Sequence, residues 1–585
     1  MVTVRKVDTR LVGYRPTVSG RRWAVSSGHS LASLAAQRIL DRGGNAIDAG
    51  VAAGICTNVV QSDMSSFAGV AAIIIYLAKE RRVVTISGVG PWPKAASIRY
   101  FQEHHGGKLP LGVLRTVVPA APDAWLTALA RFGTLGVSDV MADAIDLARG
   151  GFPMHPFLYN TIADHRQVME QWPATRAIYF PDGRPPAVGE LFVQRDLAAT
   201  LQTLVDAAQG QAHKGREAAI RAARDCFYTG EIGQRIAQFY KQEGGFLTAE
   251  DMAAFHVDVE ESVHGTYHGH DVHVCGLWST GPVLLQMLHM LEAFPLESYA
   301  HNSPDYLHLV AEVMKLAFAD REQYYGDPRF EDVPLQGLLN KEYARERLKL
   351  MSTDHAWREM PPFGNPYGFE GRPRGVAPRT RPEPTAQGRD HLGTSALTVV
   401  DAEGNAFVAT TSDTIYWTPV VPGLGLTVSG RGLQSWLDAD HPSSLQPGKR
   451  PRMTPNPAIV LKDGKVAYTV ASPGSDVQPQ AMLQVLLNML HFEMTPQEAV
   501  SVARCGTWSF PDSFYPHAYE PGDLKVESRV AAETLDHLRQ KGHQLEVWEA
   551  WDWRAGGVVA VRIAPRTGVR SAGADPRREN YAFAW

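Results

Sequence analysis

Gly393-Thr394-Ser395-Ala396-Leu397-Thr398-Val399-Val400-Asp401, continuing through Ala402 to Glu403-Gly404-Asn405-Ala406, sets a threonine directly after a glycine. The apolar and β-branched residues after it read as a strand, which the Asp-x-x-Gly-Asn turn ends. Cutting the Gly393–Thr394 bond would leave Thr394 with a free α-amine beside its own hydroxyl, a nucleophile and a general base on one residue. A threonine hydroxyl is weak near neutral pH, and an α-amine of pKa about 7.7–8.0 is a suitable base for it. The same hydroxyl would first attack the Gly393 carbonyl, by an N→O acyl shift completed by hydrolysis. A glycine leaves that carbonyl unshielded. The plainer reading, a threonine that only opens a strand, stands beside this one. Asn405 reads as structural, bonding turn backbone.

Outward from this stretch the pattern is mixed. Downstream, Leu397–Val400, Ala406–Thr410, Ala458–Leu461, Val466–Ala471, Gln544–Ala550 and Gly557–Ile563 read as strands, and Gln478–His491 as a helix. Upstream, Ser30–Arg42 reads as a helix stopped by Gly43-Gly44. Asn45 or Asp48 starts the next, whose small residues Ala46, Ala49, Ala52, Ala53 and Gly54 allow close packing. Val70–Ala78 is a β-branched run too short to span a bilayer and reads as a buried strand, with a second strand near Val83–Ile86. Residues 123–150, 195–225, Leu284–Phe294 and Tyr306–Tyr325 read as helices, and Tyr267–Cys275 alternates like a strand. Pro361–Arg389, dense in Pro, Gly and Arg, reads as a mobile loop leading to residue 393; a cleavable linker would have to be accessible there, though a simple surface loop fits as well. Helix and strand blocks on both sides of Thr394 predict sheets covered by helices.

The totals agree with one large globular chain: 585 residues, 44% hydrophobic and 20% charged. A net charge of −5 offers no basic field for nucleic acid. The four cysteines, Cys56, Cys226, Cys275 and Cys505, are far apart and fit buried thiols of a reducing, cytoplasmic setting. The N-terminal residues lack the apolar core of a secretory signal. Neither a phosphate loop for a nucleotide cofactor nor a metal constellation stands out. His264, His268 and His270 cluster on a strand-like segment and read as exposed rather than as ligands.

Further motifs surround Thr394: Gly43-Gly44-Asn45-Ala46-Ile47-Asp48-Ala49; Phe227-Tyr228-Thr229-Gly230-Glu231-Ile232; Ala317-Phe318-Ala319-Asp320-Arg321; Gly326-Asp327-Pro328; Pro447-Gly448-Lys449-Arg450-Pro451; Ser472-Pro473-Gly474; and Gly573-Ala574-Asp575-Pro576-Arg577-Arg578. In this order and spacing the chain resembles the gamma-glutamyltranspeptidase family of N-terminal-nucleophile hydrolases over most of its length. The resemblance implies an α+β fold, a four-layer αββα sandwich. It is made as one precursor that cuts itself into a large chain, here 1–393, and a small chain, here 394–585.

The resemblance also implies roles. Thr394 is the nucleophile and Gly393–Thr394 the cleavage site. Eighteen residues on, Ser412 stands where the family usually has a second threonine supporting the nucleophile; serine keeps the hydroxyl. Ser472-Pro473-Gly474-Ser475-Asp476 is similar to the family's SPGGS loop, whose backbone N–H groups form an oxyanion hole, so Gly474 and Ser475 are the expected donors. A missing donor of this kind costs about 2.7–4 kcal/mol, and serine at the second glycine narrows the allowed dihedrals.

The expected substrate ligands depart from the family together. Val89 stands where an Arg takes the α-carboxylate, Thr414 where an Asn helps, Gln434 where an acid takes the α-amine, and Met453-Thr454 where a Ser-Ser pair stands. Burying a zwitterion without partners costs about 3–5 kcal/mol, so the amide substrate is expected not to be an ordinary γ-glutamyl one. Arg431 either supplies a carboxylate fork or is a surface or structural arginine. Tyr416 and Trp417 either wall an apolar acyl pocket or belong to the core. The stretch between Trp436 and Lys449, where many members place a lid, is short, which predicts a more open pocket. Asp476-Val477-Gln478-Pro479-Gln480 resembles acylase-like and oxamate-amidohydrolase-like relatives. The expectation is a cofactor-free, self-processing amidohydrolase or acyltransferase acting on a small-molecule amide, its partners the two chains of one precursor and, beyond them, a homo-oligomer of processed units. A genuine γ-glutamyl enzyme with rebuilt ligands and an unprocessed, non-enzymatic member are the alternatives.

Overall fold

Alternation along Ser395–Val400 sets the layering. Leu397 and Val399 turn to one face and pack with Val25, Ile73, Ile75, Val84, Ile86 and Phe407 against helices. Ala396 and Val400 turn to the other and meet Ile459, Leu461, Val466, Val559 and Val561 of a second sheet. A strand apolar on both faces must be covered on both, and this one is. Thr398, the polar exception on the inner face, is satisfied across the interface by Thr469, with 2.6 Å between the hydroxyls.

The computed structural model describes residues 15–375 and 393–585. Its two principal sheets have seven strands each. The first runs, edge to edge, Tyr581–Ala584, Ala24–Ser27, Ser395–Val400, Ala406–Ser412, Val70–Leu77, Arg82–Gly88, Val259–Glu261. The second runs Val18–Gly20, Arg570–Ala574, Val559–Ile563, Lys465–Ala471, Ala458–Lys462, His270–Val274, Val263–Tyr267. All their pairings are antiparallel. Helices including Ala46–Val60 and Ala121–Phe132 cover the first sheet. Gly281–Leu291, Pro304–Tyr324 and Val477–Leu490 cover the second. This is the expected four-layer αββα sandwich. Both sheets combine strands from before and after residue 394.

The strands and helices that position the site follow the sequence reading to within a few residues, with informative exceptions. Residues 123–150 form two helices, Ala121–Phe132 and Val137–Gly150. The Asp48 carboxylate takes the Thr134 and Leu135 N–H groups between them, at 2.8 and 3.1 Å. Residues 195–225 divide at Gly215, whose φ of +99° is outside the helical range. Tyr267–Cys275 is one arm of a hairpin that turns at His268 and Gly269. That turn separates the three histidines: His264 stacks across the hairpin on His273, not on His268 or His270. Residues 361–375 are not the mobile loop expected: Tyr367 is buried and its hydroxyl donates to Asp332 O at 2.9 Å. The rest of that segment, 376–392, lies outside the described residues. Cys226 is only half-buried; the other three thiols are buried. No described helix is long and apolar enough to cross a membrane.

Both helix-start candidates are used at Asn45. Its side chain accepts the Ile47 and Asp48 N–H groups while Asp48 takes the Asn45 N–H, a complete capping box. The small residues of that helix admit Trp125: a Cβ on Gly54 would stand 2.6 Å from its ring. Gly54→Val is therefore expected to destabilise the protein by about 1–3 kcal/mol through overpacking, read as a lower denaturation midpoint.

Candidate active site

One level of the first sheet pairs Ser395 with Thr411, Thr411 with Ala71, and Ala71 with Gly88. The next level, at the strand ends, holds Thr394, Ser412, Val70 and Val89. By alternation these four face the second sheet. There the matching strand ends supply Cys275, Trp278, Met453, Thr454 and the turn Ser472–Asp476. The candidate site lies at this end of the inter-sheet layer.

Thr394 and Ser412 are buried, at 1% and 0% exposure. Ser412 Oγ stands 2.9 Å from Thr394 Oγ1 and 2.9 Å from Gly393 O. The Thr394 hydroxyl also contacts Gly393 O. Serine thus keeps the bridging position expected of the family's second threonine. A Cβ at residue 393 would sit 2.2 Å from Thr414 Cγ2, so Thr414 touches the site through its methyl.

Arg431 closes a polar cluster over the same carbonyl. Its Nη2 is 3.4 Å from Gly393 O, and its Nη1 donates to Gln434 Oε1 at 3.0 Å and to Thr454 Oγ1 at 3.5 Å. Gln434 Nε2 donates to Thr454 Oγ1 at 3.2 Å. The guanidinium is fully buried, 5.1 Å from the ring centres of Trp417 and Phe514. Burial lowers its pKa to about 10. Asp413 Oδ1 lies 3.8 Å from Nε, and burial raises that carboxyl to about 6. Arg431 is therefore no surface residue. Trp417 walls this cluster, whereas Tyr416 stacks on His165 at 3.7 Å within the core.

Val89 and Met453 share a separate apolar cluster with Val70, Ala72, Cys275 and Trp278. Two of the altered ligand positions therefore form a greasy wall, and two others, Gln434 and Thr454, a polar one. In the segment 436–449, Trp436 stacks between His441 and His517, at 4.2 and 3.8 Å. With Gly393 in place Thr394 is enclosed.

The Ser472–Asp476 turn precedes the helix Val477–Leu490 and is clamped from below. Asp476 accepts from Arg321 Nη1 at 2.8 Å and from both the Ser513 N–H and hydroxyl at 2.7 Å. Gly474 and Ser475 both have positive φ, +117° and +55°; serine bears the left-handed conformation that glycine would take freely. Ser475 Oγ is buried without a hydrogen-bond partner. Among the described residues no hydrogen bond joins this turn to Gly393 or Thr394. Arg578 is the link: its Nη1 is 3.4 Å from Thr394 O, and its Nη2 would lie 3.7 Å from a Cβ on Gly474.

Several contacts at the site have no counterpart in the sequence reading. Ser395 Oγ donates to Gln61 Oε1 at 2.6 Å, and Gln61 Nε2 reaches Gly28 O at 3.0 Å. Arg578, Arg321 and Asp413 also contribute. The two arginines fall within motifs already singled out, so their place in a motif was the available signal; Gln61 and Asp413 carried none. Two buried groups hold metal-ligating side chains, His29–His155–Glu579 and His308–Glu312–His543. Both are closed by internal bonds: His155 Nδ1 to Glu579 at 2.5 Å, and His308 to His543 at 2.9 Å with the Lys315 amine 2.7 Å from Glu312.

Comparison with known proteins agrees with this architecture. The family described as Gamma-glutamyltranspeptidase matches residues 32–585. The glutathione hydrolase-like YwrD proenzyme of Bacillus subtilis is 30% identical over 97% of this chain and 99% of its own. The acylase ACY 1 proenzyme of Pseudomonas sp. strain SE83 is 30% identical over 94% and 91%. The crystal structure of cephalosporin acylase from Bacillus halodurans superposes with a TM-score of 0.84 at 26% identity, covering 100% of this chain and 99% of that one. The chain belongs to the gamma-glutamyltranspeptidase family, and with it to the amide-bond hydrolases and acyltransferases.

Proposed function

We propose that this chain is a precursor that cuts itself between Gly393 and Thr394 and then works as an amidohydrolase or acyltransferase on an amide that is not γ-glutamyl. The observation that carries the reading is Ser412 Oγ at 2.9 Å from both Thr394 Oγ1 and Gly393 O. In this reading the Thr394 oxygen attacks the Gly393 carbonyl carbon and passes its proton to Ser412. Ser412 gives its own proton to the carbonyl oxygen, and Arg431 Nη2 favours the charge that develops there. The C–N bond then breaks as the proton on that oxygen passes to the Thr394 nitrogen and the C=O bond reforms. Water hydrolyses the resulting ester, leaving 1–393 with a carboxylate and 394–585 with a free amine.

In the mature enzyme the Thr394 amine serves as base and its hydroxyl attacks the substrate amide. The Gly474 and Ser475 N–H groups, at the start of the helix Val477–Leu490, receive the oxyanion. Water or an amine resolves the acyl-enzyme. The non-γ-glutamyl substrate rests on the apolar wall at Val89 and Met453 and on neutral Gln434, which offer an α-ammonium group no counter-charge. The relatives named as glutathione hydrolases favour the other reading, a γ-glutamyl enzyme with rebuilt ligands.

Intact mass of the purified protein should show two chains meeting at 393/394. Thr394→Ala should remain one chain without amidase activity; a Thr394→Ala protein that still splits there overturns self-processing. Gly393→Ala should slow maturation about tenfold or more, since its methyl meets Thr414 Cγ2 at less than contact distance. Adding Thr414→Ser, which removes that methyl, should restore most of the rate. On γ-glutamyl-p-nitroanilide the processed protein should show little Thr394-dependent turnover, and robust turnover would refute the substrate assignment.

A further inference from the structure

The strand that follows the nucleophile has lost one of its two neighbours by the time it reaches Thr394. Its pairing with Ala24–Ser27 ends at Leu397 opposite Ser27, and one more main-chain bond follows, from the Gly28 N–H to Ala396 O at 3.0 Å. The earlier chain then turns off through His29 into the helix Ser30–Asp41. Ser395 keeps a partner strand on one side, at Thr411. On the vacated side a side-chain amide takes over. Ser395 Oγ donates to Gln61 Oε1 at 2.6 Å, and Gln61 Nε2 donates to Gly28 O at 3.0 Å. The amide spans the gap as a peptide group of a neighbouring strand would, with one acceptor and one donor. The fit is close: a Cβ on Gly28 would stand 2.1 Å from Ser395 Oγ and 2.4 Å from Gln61 Oε1. Gln61 is itself buried and well held. Its N–H donates to Thr57 O at the end of the helix Ala46–Val60, and its carbonyl accepts the Met64 and Ser65 N–H groups, all at 2.9 Å.

In the uncut chain Thr394 is tethered from both directions, since the Gly393 carbonyl accepts from Ser412 Oγ at 2.9 Å and from Arg431 Nη2 at 3.4 Å. Cutting the bond leaves that carbonyl on the other fragment, and Thr394 becomes a chain end. Chain ends fray unless they are tied down. We propose, on the basis of the self-processing reading, that Gln61 is a positioning residue of the mature enzyme: through Ser395 and Gly28 it pins the new terminus, so that the Thr394 amine and hydroxyl stay aimed at the substrate carbonyl. The pin is redundant while Gly393 is in place and needed once it has gone. A nucleophile one residue from a loose end samples many orientations, and a misplacement of about 1 Å can cost about 100-fold in rate.

The test removes the pin with and without the cut. Gln61→Leu keeps the bulk and loses both polar ends; Ser395→Ala removes the hydroxyl from the other side. Each is made in the self-processing chain and in Thr394→Ala, which stays whole. Amide hydrogen exchange over residues 395–397 should speed up about tenfold in the cut variants, the range of one buried hydrogen bond, and by less than about threefold in the whole ones. Maturation followed by intact mass should keep its half-time within about twofold, a change smaller than one hydrogen bond. p-Nitrophenyl acetate, an activated ester that asks only for a competent nucleophile, reads the function. Its Thr394-dependent release of p-nitrophenolate should fall about 3- to 10-fold in either variant. The double variant should be no worse than the single ones, because both remove one link. Cut variants that exchange and react like wild type overturn the pin. So does a stalled cut, or equal loss of protection in cut and whole chains, either of which makes Gln61 a general brace of the fold. A wild-type chain that stays whole, or that releases no p-nitrophenolate through Thr394, overturns the underlying reading instead.

Discussion

The site depends on the register of one antiparallel pair. Ser395 opposite Thr411 brings Thr394 level with Ser412 and, through Val70, level with Val89. A slip of one residue would send Thr394 to the helix-covered face and bring a residue of the other parity to the Gly393 carbonyl. Two features hold the register. Leu397 and Val399 are committed to one core, and Ala396 and Val400 to the other. The turn after the strand is locked by Asp401, whose carboxylate takes the Asn405 N–H and side-chain amide and the N–H of Ala46, the first residue of the following buried helix.

The second sheet contributes loops, and loops need clamps. Buried ion pairs supply them. Arg321 holds Asp476 below the Ser472–Asp476 turn. Arg504 pairs with Asp575, and Arg577 with both Asp575 and Glu527, under the strand ends that carry Arg578. Such pairs add little net stability once desolvation is counted. Each fixes direction, however, because a planar fork with satisfied partners has one good geometry. The positive φ at Ser475 is tolerated in a turn whose next residue is anchored three times.

Much of this was legible in the sequence, for physical reasons that differ by element. The central strands announce themselves because both faces are buried and the residues are β-branched. The capping box at Asn45 and Asp48 is a local code. Edge strands such as Val259–Glu261 and Tyr581–Ala584 were not visible, since half-exposed residues carry no apolar run. The hairpin at His268-Gly269 was hidden because two left-handed residues reverse a strand without breaking its alternation. At the site, Thr394, Ser412 and the altered ligand positions could be placed by motif. The pairing of Arg431 with Gln434 and Thr454, and the sorting of Val89 and Met453 onto an apolar wall, depend on contacts between residues far apart in sequence.

The strand order has a last consequence. In the first sheet, Ser395–Ser412 is flanked on both sides by segments from before the Gly393–Thr394 bond; in the second, the earlier segments flank the later ones. Hydrolysis there would liberate nothing. The two polypeptides would stay zipped through rows of main-chain bonds, and parting them would mean dismantling both halves at once. Maturation in such a body would be an irreversible edit to a finished object, with neither fragment carrying all the strands of either sheet.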